Sequence, residues 1–232
     1  MSESNTEIIL ALDVADRKSA HSLLRSTGDQ LKWVKIGLQS FLRDGPDLIK
    51  YCYDDGKNIF LDLKLHDIPN TMAKAIESLA NLPVKMITLH SCSGPEALAR
   101  CTETAKEVMP DTIVLGVTVL TSMNQENLFS VGINSTVKEQ VLRLANLAND
   151  SGIGGLVCSP LELSILRPIL PSSVKLVTPG IRPSGSAVGD QKRIMNPRDA
   201  QKAGADFLVI GRPILSAADP SSALNKILKE LE

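Results

Sequence analysis

The chain has 232 residues, 43% hydrophobic and 3% aromatic, with a formal net charge of -1. Such an apolar share excludes a disordered chain, the balanced charge excludes a broad electrostatic footprint for nucleic acid, and the scarcity of aromatics leaves few platforms for stacking single strands. Cys52, Cys92, Cys101 and Cys158 form no C-x-x-C pair, so buried free thiols in a reducing compartment are expected rather than disulfides or zinc ligands.

The opening stretch, MSESNTEIILALD, has no basic segment ahead of a long apolar run, and no apolar stretch reaches the ~18 residues of a membrane span. A soluble cytoplasmic protein is expected, with neither a membrane nor a nucleic acid as partner. Short apolar runs then recur at 8–13 (IILALD), 33–37 (WVKIG), 59–64 (IFLDLK), 86–90 (MITLH), 113–120 (IVLGVTVL), 155–159 (GLVCS), 175–180 (KLVTPG) and 207–211 (FLVIG). Near-continuous apolar runs, as opposed to strict alternation, suit strands covered on both faces.

Helical patterns separate them. Residues 16–26 put Leu23 and Leu24 on a face with Ala20, and 71–82 align Met72, Ile76 and Leu79. The segment 135–150 opens with a capping box, Ser135 or Thr136 ahead of Glu139 or Gln140, and 219–232 closes the chain as an amphipathic helix. The alternation predicts an α/β protein, a (β/α)8 TIM barrel formed as a single domain over 1–232. An open doubly wound sheet shares this alternation, because periodicity is blind to closure.

The polar residues that interrupt the pattern gather where the runs end: Asp13, Lys35, Asp62 and Lys64, His90, Thr121 and Ser122, Arg182, and Gly211-Arg212. In a barrel these ends converge on one mouth, where barrel enzymes do their chemistry. Each alone reads as a strand-end cap or surface ion pair; together they read as a site. Asp62 and Lys64, two apart, point to the same side of their strand, and Lys35 on the neighbouring strand can reach them. Carboxylates keep such lysines protonated, which suits a site that meets an anion and delivers a proton.

Two stretches suit phosphate. PGIRPSGSAVGDQ (179–191) is longer than a minimal connector, and VIGRPI (209–214) ends a strand with Gly then Arg, giving close backbone approach and a bidentate fork. Gly-Arg alone reads sooner as a helix-capping turn; the loop and the dipeptide together, after the seventh and eighth runs where barrels often hold phosphate, bring phosphate binding level with that reading or ahead of it. No Walker or G-x-G-x-x-G motif points to ATP or NAD. His66 reads as a structural hydrogen-bonding histidine, His90 is open between lining the site and capping a strand, and Trp33 and the phenylalanines read as core or interface.

DLKLHDIPNT (62–71), with ALD (11–13), VKIG (34–37), VTVLTS (117–122), LVTPGIRP (176–183), GDQ (189–191) and VIGRP (209–213), resembles the orotidine 5′-phosphate decarboxylase family over almost the whole chain, in order. The D-x-K-x-x-D core alone is shared by related barrels acting on sugar phosphates; the long segment and the loop are specific. The resemblance implies a homodimeric (β/α)8 barrel that converts orotidine 5′-phosphate to UMP and CO2, the last step of pyrimidine synthesis de novo, with no metal and no organic cofactor. It implies Lys64 as proton donor in a network with Lys35, Asp62 and Asp67. Asp67, Ile68 and Thr71 resemble residues supplied to the partner subunit's site, Asp13 and Lys35 match ribose contacts, and Thr121 in preference to Ser122 matches the pyrimidine contact. Arg182, Gln191, Gly211 and Arg212 match the phosphate grip.

The rivals are a metal-dependent sugar-phosphate decarboxylase or aldolase, which would need extra carboxylates at the mouth for Mg²⁺, and a silent phosphate-binding barrel in which the charges are plain ion pairs.

Overall fold

Each apolar run becomes a strand of one parallel sheet. The computed structural model describes residues 6–183 and 193–232. In chain order these form β1 (Glu7–Ala11), α1 (Arg17–Thr27), β2 (Trp33–Gly37), α2 (Leu38–Asp44), α3 (Pro46–Asp54), β3 (Asn58–Leu65) and α4 (Pro69–Ser78). There follow β4 (Val84–His90), α5 (Pro95–Val108), β5 (Ile113–Val117), α6 (Gln125–Ser130), α7 (Val137–Asp150), β6 (Gly155–Val157) and α8 (Leu163–Leu166). The last are β7 (Lys175–Thr178), α9 (Pro197–Lys202), β8 (Phe207–Ile210), α10 (Arg212–Leu215) and α11 (Pro220–Leu231).

The strands pair in sequence order, and β8 returns to β1 in a register running from Glu7↔Phe207 to Leu10↔Ile210. The sheet is therefore a closed barrel and not the open doubly wound alternative. Local chemistry starts the helices. Asp16 accepts from the Ser19 amide at 2.7 Å to cap α1, and Asp219 caps α11. Of the possible capping boxes before α7, the pair formed is Thr136 with Glu139.

The runs overshoot the strands mainly at their C-terminal ends. The run at 113–120 pairs only to Val117, and Asp13 and Gly211 lie just beyond β1 and β8. There the chain leaves the ladder for the mouth, yet its apolar residues stay buried, Val119 among them, so hydropathy does not register the exit.

Alternation divides the apolar residues in two. A large cluster fills the space between strands and helices, while Ile9, Trp33, Phe60, Met86, Leu115, Val177, Phe207 and Val209 belong to a second cluster inside the barrel. Trp33 meets Phe207 edge-on at 5.2 Å and donates its indole N–H to Glu7 Oε2 at 3.1 Å. This plug sets the height of the site. Two residues beyond Trp33, Phe60 and Met86 stand Lys35, Asp62 and Thr88, so the next inward layer is polar.

Cys52, Cys101 and Cys158 are buried free thiols as expected, with burial pushing Cys52 up to about 12 and Cys101 to about 11. Cys92 departs from that expectation. It is exposed, because it sits in the turn after β4, with its Sγ 3.1 Å from His90 Nδ1 and 3.9 Å from His66 Nε2.

Candidate active site at the barrel mouth

Four charged side chains alternate across the mouth. Lys35 Nζ lies 3.3 Å from Asp13 Oδ2 and 3.4 Å from Asp62 Oδ2, and Lys64 Nζ lies 2.8 Å from Asp62 Oδ1. The order is Asp13, Lys35, Asp62, Lys64, negative against positive throughout. Register explains it: Lys35 pairs with Ala11 and Phe60, so its amine rises between the ends of β1 and β3. Gly37, opposite Asp62, keeps the space open; a Cβ there would lie 2.9 Å from Lys35 Nζ and 3.0 Å from Asp13 Oδ1.

Asp62 is the buried hub at 8% exposure. Burial raises its carboxyl, but Lys35, Lys64 and the hydrogen bonds from Lys64 and Thr88 together hold it below the usual carboxylate range. It is therefore ionised at neutral pH.

Asp62 and Lys64 do face one side, but not along a regular strand. The β3–β4 pairing jumps from Leu61↔Ile87 to Leu65↔Leu89, so three residues of β3 lie opposite Thr88 alone. Within this bulge Lys64 has φ +50°, the one non-glycine residue with positive φ among those described. A non-glycine residue held there costs of order 1–3 kcal/mol, and such strain gathers at functional sites. Thr88, which the sequence reading passed over as an ordinary strand residue, takes the displaced Lys64 amide at 2.9 Å and donates to Asp62 Oδ1 at 3.0 Å.

Lys35, Asp62 and Lys64 form one wall of a cavity of about 200 Å³ whose apolar side includes Phe60, Val117, Val119, Leu120 and Val157, with Thr121 on its lining. It shares Lys35, Pro179 and Val209 with an adjoining cavity of about 390 Å³ lined also by Asp13, Arg182, Gly211 and Arg212. A trough thus runs from an apolar slot with an ammonium wall to an end lined by Arg182 and Arg212.

A family model described as "Orotidine 5'-phosphate decarboxylase / HUMPS family" matches residues 6–227. The chain belongs to that family. Curated relatives agree with the family model. The chain is 50% identical over 226 residues to orotidine 5′-phosphate decarboxylase of Opitutus terrae, covering 97% of this chain and 98% of that one. It is 47% identical over 232 residues to the protein of the same name from Pseudomonas fluorescens Pf0-1, covering all of both. The crystal structure of the Lactobacillus acidophilus orotidine 5′-phosphate decarboxylase superposes with a TM-score of 0.87 at 34% identity, covering 98% of this chain and 99% of that one.

The barrel brings together Asp13, Lys35, Asp62, Lys64, Thr121, Arg182, Gly211 and Arg212. Thr121 lines the slot, whereas Ser122 is exposed. Asp67, Ile68 and Thr71 line neither cavity of their own chain. They stand exposed where β3 passes into α4, with Asp67 Oδ1 accepting from the Ile68 amide at 2.7 Å. Gln191 lies outside the described residues. His66 is exposed and its ring stands 5.4 Å from that of His90, which ends β4 beside Cys92 instead of appearing on either lining. Burial, His66 and Lys64 push His90 below the usual imidazole range, so it is neutral at pH 7.

Sequence reading also missed Arg193. Its Nη2 donates to the carbonyls of Val119 at 3.2 Å and Leu120 at 3.0 Å, and its other amine pairs with buried Glu162. It thereby ties the chain entering α9 to the segment that presents Thr121. Its only sequence signal is a charge near the Gly/Ser-rich loop.

Proposed function

We propose that this chain decarboxylates orotidine 5′-phosphate to UMP and CO2, the last step of UMP synthesis de novo, with no metal or organic cofactor. The observation that carries the proposal is the alternating array from Asp13 to Lys64, set on the wall of an apolar slot that opens toward Arg182 and Arg212. The slot suits a flat pyrimidine, with Thr121 in reach of its polar edge. Lys35 is shared by the two cavities and Asp13 lines the second beside it, where a ribose would bridge base and phosphate. The paired guanidinium groups of Arg182 and Arg212, with Gly211, suit the phosphate, and Gln191 is assigned to the same grip by resemblance.

The chemistry follows from charge. The bond from C6 to the carboxylate breaks, its electron pair stays on C6, and CO2 leaves. No conjugated sink receives that pair, a problem most enzymes give to a cofactor. Here the Lys64 ammonium faces the developing carbanion and transfers a proton to C6; the amine then regains a proton from water. Two unit charges ~4 Å apart interact by ~4 kcal/mol at an effective dielectric of ~20, worth about three decades in rate. Preorganisation supplies the rest: the bulge, Asp62 and Lys35 fix the ammonium before substrate arrives. Asp62, ionised and 2.8 Å from Lys64 Nζ, also stands beside the departing carboxylate, and its repulsion fades as CO2 leaves.

The proposal includes a homodimer. Asp67, Ile68 and Thr71, exposed and outside their own cavity, are assigned to the partner subunit's site, where Asp67 joins Asp62 in holding Lys64. A cytoplasmic place of work goes with it; the described residues contain no helix long and apolar enough to cross a membrane.

The deciding assay follows orotidine 5′-phosphate by absorbance as protein is added. Parent chain should consume it, and Lys64→Ala should lose at least about three decades of turnover while keeping its circular dichroism and melting transition. Turnover near the parent rate in Lys64→Ala would remove Lys64 from the proton-donor role.

A further inference from the structure

We propose that Thr88 is a positioning residue, whose hydroxyl locks the Lys64 backbone and the Asp62 carboxylate into a single unit. The inference deepens the reading of Lys64 as proton donor and rests on it. A hydroxyl has one proton to give and two lone pairs to receive. Thr88 Oγ1 gives its proton to Asp62 Oδ1 at 3.0 Å and receives the Lys64 amide at 2.9 Å. Both partners are thus tied to one atom on the next strand.

The register makes that atom necessary. Between Leu61↔Ile87 and Leu65↔Leu89, the bulge leaves Asp62, Leu63 and Lys64 opposite Thr88 alone. A ladder carbonyl would ordinarily take the Lys64 amide; here the hydroxyl does. Without it, the Lys64 amide loses this partner in a part-buried setting, and the restraint that Thr88 places on the left-handed turn at Lys64 is gone, leaving the Leu65↔Leu89 pairing to hold the strand beyond it. Thr88 is itself fully buried, and β4 carries on undisturbed to β5 through Thr88↔Leu115, so its side chain has a rigid base. It lines neither cavity, which separates its role from substrate contact.

The test uses the full chain with Thr88→Val, which keeps the shape and removes the hydroxyl, and Thr88→Ser, which keeps the hydroxyl. Turnover is expressed per site that binds UMP by calorimetry, so that unfolded protein is not counted. Thr88→Val should lower kcat by roughly 10- to 100-fold with KM within about threefold of the parent, because misplacing a reacting group by up to about 1 Å costs that much. Thr88→Ser should stay within about threefold on both constants. A kcat for Thr88→Val within threefold of the parent, or an equal loss in Thr88→Ser, overturns the proposal. If Thr88→Val does not fold, Thr88→Ala against Thr88→Ser makes the same comparison, since both lack the methyl and differ in the hydroxyl; equal kcat overturns the proposal. Lys64→Ala is measured alongside. Retained turnover there sinks the proton-donor reading, whereas an inactive Lys64→Ala beside a parent-like Thr88→Val sinks the role of Thr88 alone.

Discussion

Arg212 and Lys64 stand at opposite ends of one trough, and their chemistry separates cleanly. Lys64 lines the slot to which the proposed function assigns the bond changes; Arg212 lines the cavity on the far side of Lys35. Binding energy gathered at a remote phosphate can be used to order the reacting end, so a loss at Arg212 should reach turnover as well as affinity. Arg212→Ala should therefore reduce kcat/KM for orotidine 5′-phosphate by roughly 100-fold or more, as expected for a charge-assisted contact, and leave a truncated substrate lacking phosphate almost unaffected. Comparing kcat/KM for the two substrates checks this; equal losses would place Arg212 away from the phosphate. Asp62 shows what a single buried carboxylate can stabilise. Desolvation pushes its carboxyl up, and the two ammonium groups, with the hydrogen bonds from Lys64 and Thr88, bring it below the usual carboxylate range.

At the scale of elements, the site depends on where strands stop being regular. β3 bulges at Asp62–Lys64, and β2 gives way to α2 at Gly37, the residue capping that helix. The contacts that a Cβ at Gly37 would make are with the tip of Lys35 and the carboxylate of Asp13, both ends of side chains and not backbone. Those tips can move at little cost to the fold but not without breaking the array. Gly37→Ala should thus leave the melting temperature within about 3 °C of the parent, yet lower kcat/KM by roughly 10- to 100-fold, a split that calorimetry and steady-state kinetics resolve. A large fall in melting temperature with normal kinetics in the folded fraction would assign Gly37 to the fold instead. These irregularities were the least legible features. Lys35, Asp62 and Lys64 stood out because charge inside an apolar run needs a reason, whereas Thr88 looked like any β-branched strand residue and Gly37 like any strand end. Hydropathy has no channel for a hydroxyl whose importance comes from a two-residue slip in register.

For the whole molecule, the proposed dimer has a consequence that no single chain can show. If Asp67 serves the partner's Lys64, a hybrid of Lys64→Ala and Asp67→Ala chains contains one site with both residues intact and one with neither. If Asp67→Ala alone is inactive like Lys64→Ala, mixing the two under conditions that exchange subunits should restore activity to about a quarter of the parent value, the share of intact sites in a random 1:1 mixture. No recovery, with exchange confirmed by labelled subunits, would show that Asp67 acts elsewhere. The exposed position of Asp67, Ile68 and Thr71 outside their own cavity is what motivates the experiment.

Alternating apolar runs and helical stripes, read from the residues alone, determined the α/β class, the location of eight strands and the gathering of charge at their C-terminal ends, because each of these is a local property of period and polarity. Closure of β8 onto β1 and the meeting of Asp13, Lys35, Asp62 and Lys64, expected from the alternation and the family resemblance but not fixed by hydropathy, were decided by the tertiary structure, and the slipped register that turns Lys64 left-handed by it alone. They depend on which backbone lies beside which across long stretches of chain, and a pairing between distant strands leaves no trace in the pattern of either one.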